Sequence, residues 1–256
     1  MKNVKKALKD LVYTNRRNYY QNLDDIDLNV SVGLGARRLF FGQTYHSNQE
    51  LIDDMLKNNQ SEFCVAFYIH EPQVLLDMAE DKLYLDPCVC YRLELNKYQP
   101  LKQRNKHIEF RFLREKDLEA INKIYKPYGM YPLDKTSTME NHYSKALSYF
   151  VAVRDGEVVG IVIGLDHMEL FNSPEGGCSL FGLAVMPGSR GRGIGKWLIN
   201  HVAEHYHVRS RSYVDLYVDY DNKRAIGLYE KMGFRKIKRF SLKRVEDKEK
   251  EMKYYC

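Results

Sequence analysis

Long apolar runs are missing from this 256-residue chain. None approaches the ~18 to 20 residues that cross a bilayer, and the longest, Val158–Leu165 and Leu180–Pro187, have the length of strands. An apolar signal region is lacking too, because Lys5, Lys6 and Lys9 stand where it would be needed. A membrane-spanning or secreted protein is therefore not expected, and the cytoplasm is. Glycine and proline are sparse, at 16 and 7, and neither internal repeats nor low-complexity tracts occur. With 44% hydrophobic and 29% charged residues, the composition is that of a chain able to bury a core and not of a disordered one. Cysteines number five, an odd count without a framework spacing, so reduced thiols are expected. Cys88 and Cys90 are too close for zinc or redox CxxC geometry. His201 and His205 are one helical turn apart, with His207 beyond, but no third ligand stands at a metal-site spacing, so no metal is expected.

Charge of one sign is locally absent. Forty basic residues against 34 acidic give a net charge of +6, and 107–256 carries 25 basic and 20 acidic groups. From Phe234 to Val245 there are six basic residues (Arg235, Lys236, Lys238, Arg239, Lys243 and Arg244) and no acid. Such a run either attracts anions or protects a strand edge by charge. No nucleic-acid or membrane partner is expected, and a nucleic-acid-binding protein using 234–245 is kept as a rival reading.

The polar segment 97–106 suggests a boundary, giving a small α/β unit over 1–105 and a larger α/β unit over 106–256. In the first, periodicity predicts a helix at His46–Asn59, a strand at Phe63–Ile69, a short helix after Pro72 and a strand at Val89–Leu95. In the second, Ile108, Phe110 and Phe112 alternate as a strand, and helices follow at Asp117–Tyr125 and Thr138–Ser148. Strands Tyr149–Val153 and Val158–Leu165 flank Asp155-Gly156, a hairpin turn. Strands at Ser179–Met186 and Tyr213–Val218 alternate with helices at Gly193–Tyr206 and Arg224–Met232. Gly233 suits a helix C′ position, and Phe234–Leu242 and Met252–Tyr255 could add final strands.

The stretch Leu183-Ala-Val-Met-Pro-Gly-Ser-Arg-Gly-Arg-Gly-Ile-Gly-Lys-Trp197 carries the chemistry. A strand enters a loop of glycine and arginine, and a helix starts directly after it. Amides at a helix start are unpaired and sit at the positive end of the macrodipole. Gly191, Gly193 and Gly195 let the backbone approach a bulky anion, and Arg190, Arg192 and Lys196 can add charge. This is a cradle for a phosphate or diphosphate. It is not a P-loop, since Trp197 rather than Ser or Thr follows Lys196, and the glycines do not have the G-x-G-x-x-G spacing.

Arg190-x-x-Gly193-x-Gly195 after Leu183-Ala-Val185 resembles the acetyl-coenzyme A signature of the GNAT superfamily of N-acyltransferases. Asn222-Lys-Arg-Ala225-Ile-Gly-Leu228-Tyr229-Glu-Lys231-Met-Gly233-Phe234 is similar to that family's late helix. The resemblance covers about 107–256. It implies a GNAT-like twisted mixed β-sheet with helices on both faces, split open between the strands near 180–186 and 213–218. Acetyl-CoA, as co-substrate and without a metal, would lie in the split, its pantetheine pairing with strand backbone. The cofactor-binding set implied is Leu183, Ala184, Val185, Arg190, Gly191, Arg192, Gly193, Ile194, Gly195, Lys196, Asn222, Ala225 and Tyr229.

The chemistry implied is attack of an amine on a thioester. The Val185 N–H would stabilise the oxyanion and Tyr229 would protonate the departing thiolate. Many relatives place a glutamate near the strand before the cradle, but Cys178–Met186 contains no carboxylate. Asp166, His167 and Glu169, at the end of the preceding strand, are the nearest substitutes by sequence order, with removal through water as an alternative. The acceptor would be a primary amine of a small molecule, amino acid or short peptide, bordered by 125–148 and 166–177 with Tyr128, Tyr131, Asp134, Glu140, His142, Tyr143, Glu169 and Glu175. Glu71-Pro-Gln-Val-Leu-Leu, Leu83-Tyr-Leu-Asp-Pro87 and Tyr91-Arg-Leu93 look similar to the leading segment of acetyltransferases associated with N-acetylglutaminylglutamine amide synthesis, which would make the acceptor an α-amino group. Residues 1–105 are otherwise expected to be a degenerate acyltransferase-like half, serving as a lid or a homodimer surface. A non-catalytic CoA-binding regulatory module is the other rival.

Overall fold

The structure is a computed structural model describing residues 26–57, 62–102 and 107–248. In chain order the elements are β1 (Ser31–Leu34), β2 (Arg37–Phe41), α1 (Asn48–Lys57), β3 (Phe63–Ile69), α2 (Pro72–Met78), β4 (Leu83–Leu85), β5 (Cys88–Glu94) and β6 (Glu109–Phe112). Then come α3 (Leu118–Tyr125), α4 (Lys135–Tyr143), β7 (Leu147–Arg154), β8 (Glu157–Asp166), α5 (His167–Phe171) and β9 (Gly177–Val185). The chain continues through α6 (Ile194–Val208), β10 (Tyr213–Asp219), α7 (Lys223–Lys231), β11 (Arg235–Ile237) and β12 (Phe240–Arg244).

Two compact units result. Of the described residues, one contains those up to Gly33, those within Arg37–Cys88 and those from Lys238 onward, and the other Leu34–Ala36 and those within Val89–Ile237. The boundary expected between 105 and 106 falls inside the second unit. The reason is packing: Tyr91, Leu93, Leu95 and Tyr98 are buried in the same cluster as Phe110, Leu198 and Val214. Leu101 N also donates to the Asn200 side chain on α6 at 2.9 Å.

The first unit is a five-stranded sheet, β1-β2-β3-β12-β4, over Leu51, Ile52 and Met55 of α1 and Leu75 of α2. Its β12 comes from the far end of the sequence, antiparallel to both β3 and β4. The continuous strand expected over 234–242 is thus two strands in two sheets. The basic run is divided with it. Arg244 is fully buried and bonds Asp247 at 2.8 and 2.9 Å, and Lys243 pairs with buried Asp86 at 3.2 Å. The strand anticipated at 252–255 lies outside the described residues.

The second unit is a twisted mixed sheet of seven strands, β11-β5-β10-β9-β8-β7-β6. Side chains alternate across it with the period of two that strands impose. Gly160 and Gly164 of β8 face α6, where a Cβ would meet Leu198 at 3.0 Å and Tyr206 at 2.6 Å. Their missing side chains let α6 lie close. Ile163 faces the other way, toward Tyr125 of α3, so helices cover both faces. The Asp155-Gly156 hairpin forms as expected, with φ of 53° and 83°. The helix expected at 138–148 begins and ends earlier, because the Asp134 side chain caps it through Ser137 N at 2.9 Å and β7 claims Leu147 onward.

Candidate functional site

β9 leads through a turn at Pro187–Ser189 into exposed Arg190–Gly193 and then α6. Gly191 and Gly193 have φ of 81° and 75°, conformations an L side chain adopts only at a cost. Gly193 is the N-cap of α6, and Trp197 N closes the first helical bond on its carbonyl at 3.0 Å. The amides of Ile194, Gly195 and Lys196 therefore precede the first intrahelical bond, as at any helix start. α6 has 15 residues, long enough to align its peptide dipoles behind them. Arg190, Arg192 and Lys196 are exposed around this turn, while Ile194 is anchored in the core. The glycine–arginine turn read from the sequence is thus present directly before a helix start.

The sheet opens beside it. β9 and β10 run parallel and pair from Gly177↔Tyr213 only as far as Leu180↔Leu216. Beyond that, Phe181, Gly182, Leu183 and Val185 stay partly exposed in mid-sheet. On the other side Val185 lies opposite Gly160, and Met186 N donates to Val159 O at 2.9 Å. That bond identifies Gly160–Val185 as a non-hydrogen-bonded antiparallel pair, so the N–H and C=O of Val185 point away from β8. They face the split. Ala184 alternates with it and is buried.

Within the same strand, Gly182 has φ of 58° and the register with β8 shifts around it, marking a bulge. The Tyr125 hydroxyl donates to the Gly182 carbonyl at 2.9 Å, holding the bulge from α3. A glycine inside an alternating strand is a sequence signal for such a bulge. The tyrosine that grips it, 57 residues away, has none.

α7 converges on the cradle. A Cβ on Gly195 would touch Val185 Cγ2 at 3.8 Å and Leu228 Cδ2 at 3.7 Å, so strand end, helix start and late helix meet there. Tyr229, next to Leu228, is buried with its ring 5.7 Å from that of Phe234. Burial pushes its phenol up to about 12, so it holds its proton at neutral pH. Ala225 packs against the same cluster. The exposed Asn222 caps α7 by accepting from Ala225 N at 3.1 Å, which leaves its amide group as the part able to reach a ligand.

Asp166 and Glu169 are elsewhere, which corrects their candidacy as proton acceptors. Asp166 lies opposite Cys178, seven residues along β9 from Val185 and thus roughly 20 Å from it at ~3.3 Å per residue. It is fully buried, caps α5 through Met168 N at 3.1 Å and binds Arg211 at 2.8 Å. Glu169 stands 3.5 Å from the same arginine. Sequence order put them beside the split, whereas antiparallel pairing sends the end of β8 to the opposite end of β9. Of the acceptor-side residues, Tyr131 is buried, Asp134 is a helix cap, and Glu175 accepts from Tyr213 at 2.8 Å. Tyr128 bonds the site, at Val185 O and Arg190. His201 and His205 pack on Phe150, with ring centres 4.9 and 5.0 Å apart.

Residues 114–234 match the model of the acetyltransferase (GNAT) family. Over 86 residues the chain is 37% identical to the mycothiol acetyltransferase of Streptomyces avermitilis, a match covering 34% of this chain and 26% of that protein. The chain thus spans about a quarter of the length of this curated relative. Its fold is similar to that of a GNAT-family protein of Novosphingobium aromaticivorans (TM-score 0.54, 15% identity, 84% of this chain and 89% of that one). It is also similar to a GCN5-related N-acetyltransferase of Sphaerobacter thermophilus (TM-score 0.53, 18% identity, 82% and 72%). The chain therefore carries a domain of the acetyltransferase (GNAT) family, and that domain contains the cradle, the split and Tyr229.

Proposed function

We propose that this protein is an N-acetyltransferase that moves an acetyl group from acetyl-CoA to a primary amine of a small molecule, amino acid or short peptide. The observation that carries the reading is the Val185 main chain, whose donor and acceptor both face a split that β10 leaves unfilled. An extended amide-bearing arm can add to such an edge as a strand would. The cradle at 190–196 then meets the diphosphate, with Arg190, Arg192, Lys196 and the first amides of α6 as its donors. Leu183 and Ala184 would border the arm, and Asn222 and Ala225 would border it from α7.

The amine attacks the thioester carbonyl, and the Val185 N–H steadies the charge that develops on its oxygen. The C–S bond breaks as the new C–N bond forms, and Tyr229 gives its proton to the departing thiolate. No carboxylate occurs from Cys178 to Met186, so the proton of the amine leaves through water. The resemblance of residues 71–93 to the glutaminylglutamine-type enzymes supports an α-amino acceptor, and the cytoplasm is the proposed location. Among the described residues no helix is long and apolar enough to cross a membrane.

An acceptor screen of amino acids, dipeptides, polyamines and peptides with acetyl-CoA, reading thiol release, tests this. Amine-dependent release is expected, and it is lost in Gly193→Asp, which sets a charge and a left-handed side chain against the diphosphate. Tight acetyl-CoA binding without release for any amine would leave a binding module instead. Unchanged acetyl-CoA affinity in Gly193→Asp, measured by calorimetry, would remove the cradle from the site.

A further inference from the structure

Tyr128 ends the single turn Lys126–Tyr128 that follows α3, closed by Gly129 at φ 60°. Its hydroxyl donates to the Val185 carbonyl and accepts from Arg190 Nε at 2.7 Å. The Arg190 guanidinium carbon also stands 4.5 Å from the centre of the phenol ring. One side chain, itself 36% exposed, thus joins the carbonyl that faces the split to the arginine of the cradle loop. The segment beyond it is tied back to α3, where Asn122 exchanges two hydrogen bonds with Leu133, at 2.9 and 2.8 Å.

We propose that Tyr128 is a latch that closes the mouth of the split and is displaced when acyl-CoA enters, freeing 126–134 for the acceptor. The inference rests on the acetyl-CoA reading of the site. An arm that adds to β9 must bring an N–H to the Val185 oxygen, and the Tyr128 hydroxyl stands there. A diphosphate simultaneously offers Arg190 a charged acceptor, and charge-assisted bonds are roughly twice as strong as neutral ones. Entry of the ligand therefore removes both partners of the phenol at once. The turn that carries it is then held by fewer bonds.

The experiment compares wild type with Tyr128→Phe, which keeps the ring stacked on Arg190 and loses only the hydroxyl. Coenzyme A is the probe, titrated by the fluorescence of Trp197, the single tryptophan, one turn into α6. Hydrogen exchange of 126–134 is followed with and without it. Loss of the two competing hydrogen bonds, to Val185 O and from Arg190 Nε, should tighten coenzyme A binding by about 30-fold. Exchange of 126–134 should quicken when coenzyme A is added to wild type and be fast in the variant without it. Equal or weaker binding by Tyr128→Phe, or slower exchange of 126–134 in liganded wild type, overturns the latch and leaves the cofactor reading standing. Failure of wild type to bind coenzyme A overturns both.

Discussion

Arg211 donates its Nε hydrogen to both oxygens of Asp166, at 2.8 and 2.9 Å. The carboxylate is fully buried and the arginine side chain 14% exposed, so each neutralises the other away from water. Asp166→Asn leaves Arg211 with only the partly exposed Glu169, 3.5 Å away, as counter-charge, and breaking a buried pair costs about 3 kcal/mol or more. Urea unfolding should register that loss while turnover per folded molecule stays within about twofold. A turnover defect at wild-type stability would return Asp166 to the catalytic candidates.

Tyr229 is expected to act only as a proton donor. Its phenol, pushed up to about 12 by burial, is neutral throughout the usual assay range. Tyr229→Phe should slow kcat by about 100-fold, the lower bound typical of general acids, with little change in KM for acetyl-CoA. Because the acid stays protonated, wild-type kcat should show no descending limb up to about pH 9. Wild-type turnover in the variant would make Tyr229 a core residue and nothing more.

The bulge at Gly182 has two constraints on it. Any Cβ there would lie 2.5 Å from Tyr125 Oη at a φ of 58°. Gly182→Ala should lose about 1–3 kcal/mol of stability, as sites in sparsely populated backbone regions do, and lower kcat with it. Adding Tyr125→Phe should recover part of the stability by removing the hydroxyl. A fully stable single variant would show that the strand tolerates a regular conformation here.

Arg244 and Asp247 are 0% and 1% exposed. Arg244→Met should cost about 3–5 kcal/mol by stranding the Asp247 charge, and Arg244→Met with Asp247→Leu should recover much of it. Denaturant midpoints decide this. Equal stability of the single variant and wild type would mean that β12 does not need the pair.

Burial lowers four histidines, His70, His142, His167 and His205, and two of them illustrate the acid side of the stability curve. Burial, aided by Arg92, lowers His167 from 6.5 to about 3, and burial, aided by Arg209 and His201, lowers His205 to about 4. Below pH 6.5 the unfolded chain takes up these protons before the folded one does, so their contribution to stability is full above that value and is lost as pH falls toward 4 for His205 and 3 for His167. Melting temperatures should decline across that window, and His205→Phe, in a pocket of aromatic rings, should flatten the slope. An unchanged slope would place the acid lability elsewhere.

Local rules were enough for much of this. Alternation along Phe110 and Phe112, the Asp155-Gly156 turn and the glycine–arginine loop before an amphipathic helix are all written within a few residues. Backbone geometry at that range depends on near neighbours alone, so the cradle at 190–196 was legible. The family motifs implied Tyr229 and Asn222 as its neighbours, and Leu228 of the same helix does lie 3.7 Å from a Cβ on Gly195.

What the chain alone decided, then, was which segments become strands and helices and where a glycine–arginine turn meets a helix start. Tertiary structure decided who meets whom. Asp166 was drawn toward the site by sequence order and sent to the far end by the antiparallel register of β8 on β9. Arg244 looked like part of a solvated basic face until β12 entered a sheet built from residues more than 150 positions earlier. Tyr125 and Tyr128 reach Gly182 and Val185 across 57 residues. Such pairings come from strand order and helix packing, which minimise free energy over the whole fold, and no local pattern encodes them.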